Sequence, residues 1–169
     1  MTAIRLAEEP TDFETFDPLP SFWRAECLNF FAMGELAVAN CLEAMRDAKV
    51  SLDPEGVHPG HAARMRALSS AFTTHEFAGH SKVAAAKLDD WRHLHDEHRL
   101  WLAHGVMTIA GPAADFRLFT YLSGERKDMG VKRYERAEMR ELLNRLCTVH
   151  HFMVVQFGQI HAACKRGEI

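Results

Sequence analysis

No apolar run in this chain approaches the ~20 residues that a membrane-spanning helix needs, which excludes a helical membrane protein. A basic excess is also missing: 20 Lys and Arg stand against 23 Asp and Glu, for a net charge of −3. Long nucleic acid bound through its backbone calls for clustered positive charge, so any RNA contact must be local. The four cysteines, Cys27, Cys41, Cys147 and Cys164, form no Cys-x-x-Cys pair. Each falls on the apolar stripe of an expected helix, which predicts buried free thiols and excludes a zinc ribbon or a disulfide framework. Nor does the chain open like a signal peptide, because Glu8, Glu9, Asp12, Glu14 and Asp17 replace the usual basic start. Residues 1–20 therefore read as an acidic lead-in, and the expected location is the cytoplasm. No internal repeat is visible, so a solenoid is excluded as well.

What remains is ordinary globular material, with 169 residues of which 47% are hydrophobic and 25% charged. That suffices for one domain, over residues 21–169, with its own core. Ser21 is placed to cap a long first helix. Trp23, Cys27, Phe30, Gly34, Ala37, Cys41 and Met45 step by three and four along its buried face. Ser51 to Gly56 and Pro59-Gly60 break the pattern, and a shorter helix runs from about His61 to Phe72. The third helix spans about Ser81 to His104, with Ala84, Leu88, Trp91, Leu94, His98 and Trp101 or Leu102 inward. Gly105 would stop it in the left-handed conformation that glycine adopts without penalty.

The segments Val106–Ala110 and Phe116–Leu122 are rich in β-branched and aromatic residues and flank Gly111-Pro112, which predicts a hairpin. Val131 to Tyr134 adds a third short strand after the turn residues Gly124 and Gly130. A last long helix, about Ala137 to Cys164, carries Leu142, Leu146, Val149, Met153, Phe157, Ile160 and Cys164 on one face. The expected fold is mainly α: a four- to five-helix up-and-down bundle with a β-hairpin or three-stranded sheet before the last helix.

One segment looks built for chemistry. Arg99 and His104 form an Arg-x4-His pair followed at once by Gly105. Arginine offers phosphate a planar, permanently charged fork, and histidine exchanges a proton near neutrality. Cleaving RNA without a metal needs both: acid–base help at the 2′-hydroxyl and the leaving 5′-oxygen, and a fixed cation beside the phosphorus. On a continuous α-helix, however, residues five apart are offset by roughly 140°. Convergence then needs the helix to loosen between them, or a second copy related by two-fold symmetry. The same spacing at Arg145 and His150 lies mid-helix and reads as structural.

The order helix, Arg-x4-His-Gly, hairpin, long helix resembles the HEPN superfamily, the higher-eukaryote and prokaryote nucleotide-binding fold. Its members often carry a segment like Arg-Asn-x-x-Ala-His-Gly at the end of a core helix, and here the segment is Arg99-Leu100-Trp101-Leu102-Ala103-His104-Gly105. The resemblance covers residues 80–160 in element order and this heptad in residue detail. It implies a helical bundle, a homodimer and, in active members, metal-independent RNA cleavage, with Arg99 and His104 as the catalytic pair and no cofactor. A toxin or defence setting would add an antitoxin or other partner protein. Leu100 stands where many active relatives place a polar residue, so a silent module that dimerises and binds a partner protein or nucleotide is the alternative. A plainer account of the pair is positive decoration of a helix C-terminus.

Other clusters carry simpler readings. His93, His95 and His98 lie among Asp89, Asp90, Asp96 and Glu97, and Asp90-x-x-His93 resembles half of a di-iron motif. No second Glu-x-x-His completes it, so a solvated polar helix face is expected. His75-Glu76-Phe77-Ala78-Gly79-His80 is one residue too long for a zinc-protease motif, and Gly79 interrupts its helix. His150 reads as a core histidine with His151 as its surface neighbour, and the three tryptophans as core or dimer interface. Arg126, Lys127, Lys132, Arg133 and Arg136 are diluted by acidic neighbours, as in a solvated hairpin that can still touch an RNA backbone.

Overall fold

Pro20, rather than Ser21, opens the first helix. Proline suits the first helical position because its missing N–H would be unsatisfied there in any case, and the Trp23 N–H closes the first turn on the Leu19 carbonyl at 2.9 Å. Ser21 thus lies inside the turn and does not cap it. The computed structural model describes residues 19–52 and 60–169, so the expected loop residues Asp53 to Pro59 and the acidic lead-in up to Pro18 lie outside the described residues.

In chain order the elements are α1 (Pro20–Asp47), α2 (His61–Thr74), α3 (Ser81–Leu94), a π-helical turn (His95–Arg99), α4 (Leu100–His104), β1 (Val106–Ala110), β2 (Ala113–Leu122), β3 (Glu125–Tyr134) and α5 (Arg136–Arg166). The chain is mainly helical, with a three-stranded antiparallel sheet ahead of the last long helix, as the periodicities predict. Among the described residues no helix is long and apolar enough to cross a membrane. Among the described residues the contacts group into two compact units, one of Ala32–His93 with Thr148–Ile169, the other of residues 19–31 with Leu94–Cys147.

In the first unit α1 buries Val38, Cys41, Leu42 and Met45; Val38, not the expected Ala37, turns inward, because the larger side chain fills the core. Met65, Leu68 and Phe72 of α2 join them, and Phe72 meets Phe77 edge-on at 6.3 Å and Phe157 of α5 at 5.9 Å. Gly34 lies directly under the Trp91 ring. A Cβ at that position would fall 2.1 Å from the ring, so only glycine lets the helix backbone come this close. On α5 the inward residue is His150, edge-on to Trp91 at 6.4 Å, in place of the expected Val149. Burial lowers its pKa, so His150 is a neutral core histidine.

In the second unit Trp23, Phe116 and Tyr134 form an aromatic centre with ring separations of 5.0, 5.7 and 6.1 Å. Cys27 and Phe31 of α1, Leu102 of α4 and Met139, Leu143 and Leu146 of α5 complete the buried set. Phe31, not Phe30, continues the stripe from Cys27 by a step of four. All four cysteines are buried and free, and burial pushes the Cys27 and Cys41 thiols far above their ordinary range, as in inert core thiols.

The sheet runs β1-β2-β3, and its two turns are two-residue hairpin loops. Gly111 supplies positive φ at the first, and Ser123-Gly124, with φ 52° and 84°, the second, both matching the twist of the flanking strands. β3 starts six residues earlier than expected because this tight turn pairs Glu125 with Leu122 despite the polar stretch that follows. Gly130 is no turn. It sits in a bulge, where the register shifts between Arg117 and Phe119, with φ 96°.

Candidate functional site

The helix that carries the Arg-x4-His pair does widen, but one turn too early. The π turn covers His95–Arg99, and its spacing keeps Leu94, His98 and Leu102 facing inward. From Arg99 (φ −60°, ψ −40°) and Leu100 (φ −62°, ψ −45°) onward the backbone is α-helical to His104. Arg99 and His104 therefore keep an offset of roughly 140° and a rise of about 7.5 Å. Arg99 is half-buried and His104 exposed. One chain does not bring the two groups to one point.

Leu100, one turn below His104, shares its face and is 51% exposed. Trp101 is half-buried and Leu102 fully buried. Gly105 ends the helix in extended conformation, φ −68° and ψ 137°, not in the left-handed form. Glycine is required here by proximity: a Cβ would stand 2.5 Å from the Trp101 carbonyl oxygen and 3.1 Å from Phe116 Cβ.

The last carbonyls of α4 are capped by a residue that the sequence did not single out. Arg24 Nε donates to the Leu102 carbonyl at 2.7 Å, and Nη2 reaches those of Ala103 and Gly105 at 3.4 and 3.5 Å. The guanidinium also lies 5.5 Å from the centre of the Phe116 ring. A cation at the negative end of the helix dipole, satisfying orphan carbonyls, holds the helix end that presents His104. Arg24→Met, which keeps the stem but removes the donors, is expected to cost about 2 kcal/mol in denaturant unfolding, the scale of a charged hydrogen bond. No local signal marks Arg24, since its partners are 78 to 81 residues away.

His98 lies on the inward stripe, as its spacing predicts, apart from the solvated face that His93 keeps; it is buried against Tyr134, with Nδ1 2.9 Å from the hydroxyl. Glu97 Oε1 lies 3.4 Å from Nε2. Burial, and then the Lys132 ammonium, push His98 down to about 4, while burial pushes the Tyr134 phenol up. Lys132 itself donates to the Glu97 carbonyl at 3.0 Å and lies 5.5 Å from the Tyr134 ring centre. The strand alternation that puts Lys132 and Tyr134 on the inner face was the available clue.

The His98 shift sets an acid limit on stability. The unfolded chain takes up this proton near pH 6.5 and the folded chain only near 4, so stability present above pH 6.5 is lost as pH falls toward 4. Urea unfolding at pH 7, 5.5 and 4.5 should show the decline, and His98→Gln should flatten it.

The remaining clusters resolve separately. Asp89, Asp90, Arg92 and His93 form an exposed face tied by ion pairs, Arg92 to Asp89 at 2.6 Å and Lys87 to Asp90 at 2.8 Å. His95 is half-buried and edge-on to Phe31 at 5.8 Å. His75 and His80 flank the turn at Ala78-Gly79 between α2 and α3, outside any helix. Arg145 is exposed and His150 buried, so that second Arg-x4-His pair points apart. On the hairpin Arg117 pairs with Asp128, and Arg133 with Glu135 at 2.6 Å and Asp115 at 3.2 Å. No family model matches the chain, and neither do the curated proteins or the solved structures compared with it.

Proposed function

We propose that this chain is a HEPN-like protein that cleaves RNA without a metal, at a site that a second copy completes. The observation that carries the reading is the placement of its two reactive groups. His104 stands exposed at the tip of α4, and Arg99 lies on another side of the same rod, at the end of the π turn. Each group can meet phosphate, yet the two meet the same phosphate only when paired rods face one another. Exposed apolar Leu100 and Val106, at 51% and 62%, flank His104 and suit a surface that a twin covers.

In such a dimer His104 takes the proton of an RNA 2′-hydroxyl. The freed oxygen attacks the adjacent phosphorus, the bond from phosphorus to the 5′-oxygen breaks, and that oxygen leaves as a hydroxyl by taking the proton that the His104 imidazolium gives up, so that one strand ends in a cyclic phosphate. The guanidinium of Arg99 stabilises the charge that gathers on the phosphoryl oxygens. Arg24 fixes the helix end from below. The test is RNA incubated with the pure protein in EDTA beside His104→Ala. Cyclic phosphate ends from the wild type alone support the reading, and equal cleavage by both, or none by either, removes it.

Leu100 supports a second reading, a catalytically silent HEPN-like dimer that holds a partner protein such as an antitoxin, or a nucleotide. An exposed leucine one turn from His104 favours protein contact over phosphate. A wild type that dimerises through this region and leaves RNA intact is the result this reading expects. In either case the protein would work in the cytoplasm.

A further inference from the structure

The outer face of the sheet carries features that the cleavage site does not use. β2 buries Ala114, Phe116 and Leu118, so the alternate residues Asp115, Arg117, Phe119 and Tyr121 face outward. Tyr121 is 71% exposed, an unusual state for a large aromatic ring, and its cross-strand partner is Arg126. The Arg126 guanidinium lies 3.7 Å from the centre of the Phe119 ring, and Arg117 approaches the same ring at 5.4 Å. Arg133 extends the row on the same face, opposite Asp115.

Charge distribution selects the occupant. Residues 106–134 hold five basic and three acidic side chains, whereas the rest of the chain holds fifteen and twenty. On the outer face itself Arg117, Arg126 and Arg133 stand against Asp115 and Asp128, a local positive excess on a negative protein that attracts a polyanion. Its exposed ion pairs, Arg117 with Asp128 and Arg133 with Asp115, hold little energy in water, so phosphate can replace the carboxylates. An exposed ring beside arginines, as Tyr121 is, is what an unpaired base stacks on.

We infer that the outer face of this sheet binds single-stranded RNA, with a base stacked on Tyr121 and the backbone phosphates on Arg126 and Arg133. The inference deepens the proposed function by naming how the substrate is held away from the reacting bond. It also explains how a chain of net charge −3 can engage RNA, through one local patch.

The probe is a fluorescein-labelled 2′-O-methyl RNA of about twelve nucleotides, read by anisotropy in EDTA. Lacking the nucleophilic hydroxyl, it reports binding whether or not the protein cleaves. Tyr121→Ala should weaken binding by about 5- to 100-fold and Tyr121→Phe should retain it, because the ring alone does the stacking. Arg126→Gln should flatten the salt dependence by about 0.7 in log–log slope, one phosphate contact on a single strand. Wild-type protein that does not bind the probe, or Tyr121→Ala that binds as well as wild type, overturns the inference. So does a Tyr121→Ala protein that turns monomeric in sedimentation, which would make the face a contact between copies. Probe binding that depends on Tyr121, with no cleavage of ordinary RNA, keeps this surface and rejects the catalytic reading.

Discussion

Arg99→Ala and His104→Ala proteins, each inactive alone, will regain about a quarter of wild-type RNA cleavage when mixed in equal amounts and allowed to exchange. If each site takes Arg99 from one copy and His104 from the other, random pairing makes about half of the dimers mixed. Each mixed dimer then holds one intact site of its two. The single losses should be large. Removing acid–base help costs about 10²- to 10⁴-fold, and removing a fixed stabiliser of the developing charge about 10²- to 10³-fold. Recovery therefore stands out from a very low background. Mixed dimers that co-purify through a tag on one variant but show no recovery would place both groups of a site on one chain. That outcome conflicts with their roughly 140° offset along α4 and would require α4 to unwind. Full activity in either variant would show that its side chain takes no part.

Gly34→Ala will destabilise the protein by about 2 kcal/mol or more, although alanine is the better helix former. An exposed helical glycine replaced by alanine gains up to about 1 kcal/mol. Here the new methyl would fall 2.1 to 2.5 Å from three atoms of the Trp91 ring, inside contact distance for any pair of carbons. Trp91 is itself fully buried. A buried ring must shift to admit the methyl, so overpacking costs of about 1–3 kcal/mol or more outweigh the helical gain. Trp91→Leu alone leaves a cavity and should cost about 3 kcal/mol. The double variant should cost less than the two losses added, since each change relieves the other, with a coupling of about 1–3 kcal/mol. Urea midpoints of the four proteins measure it; strict additivity would mean that Gly34 and Trp91 do not meet.

Much of the fold is legible because periodicity reports directly on burial. Steps of three and four located α1, α2, α3 and α5 to within a few residues, and β-branched runs around Gly111-Pro112 located β1 and β2. The stripe assigned Phe30 and Ala37 to the buried face, but their neighbours Phe31 and Val38 are the buried residues, because packing selects between adjacent apolar side chains. β3 was shortened because Glu125 to Asp128 have no strand propensity of their own. Their pairing is imposed by the turn at Ser123-Gly124, a case of tertiary context overriding local preference.

The candidate pair was visible as residue types at a spacing, and so was its geometric difficulty. What one dimension left open was where the helix would widen. Placing the wide turn at His95–Arg99 rather than inside the pair answers to the packing of Leu94, His98 and Leu102, not to the motif. Arg24 and Tyr134 stayed hidden for a related reason. Each works through a partner far along the chain, Arg24 on carbonyls 78 to 81 residues away and Tyr134 on His98 36 residues away.

The order of residues alone thus determined the helices, the hairpin and the buried thiols, because these follow from neighbours three, four or two positions apart. Tertiary structure decided which hydroxyl His98 meets, which arginine caps α4, why Gly34 and Gly105 must be glycine, and which way the sheet turns its aromatic rings. Those outcomes depend on approach between distant segments, where a single ångström of contact outweighs any local propensity.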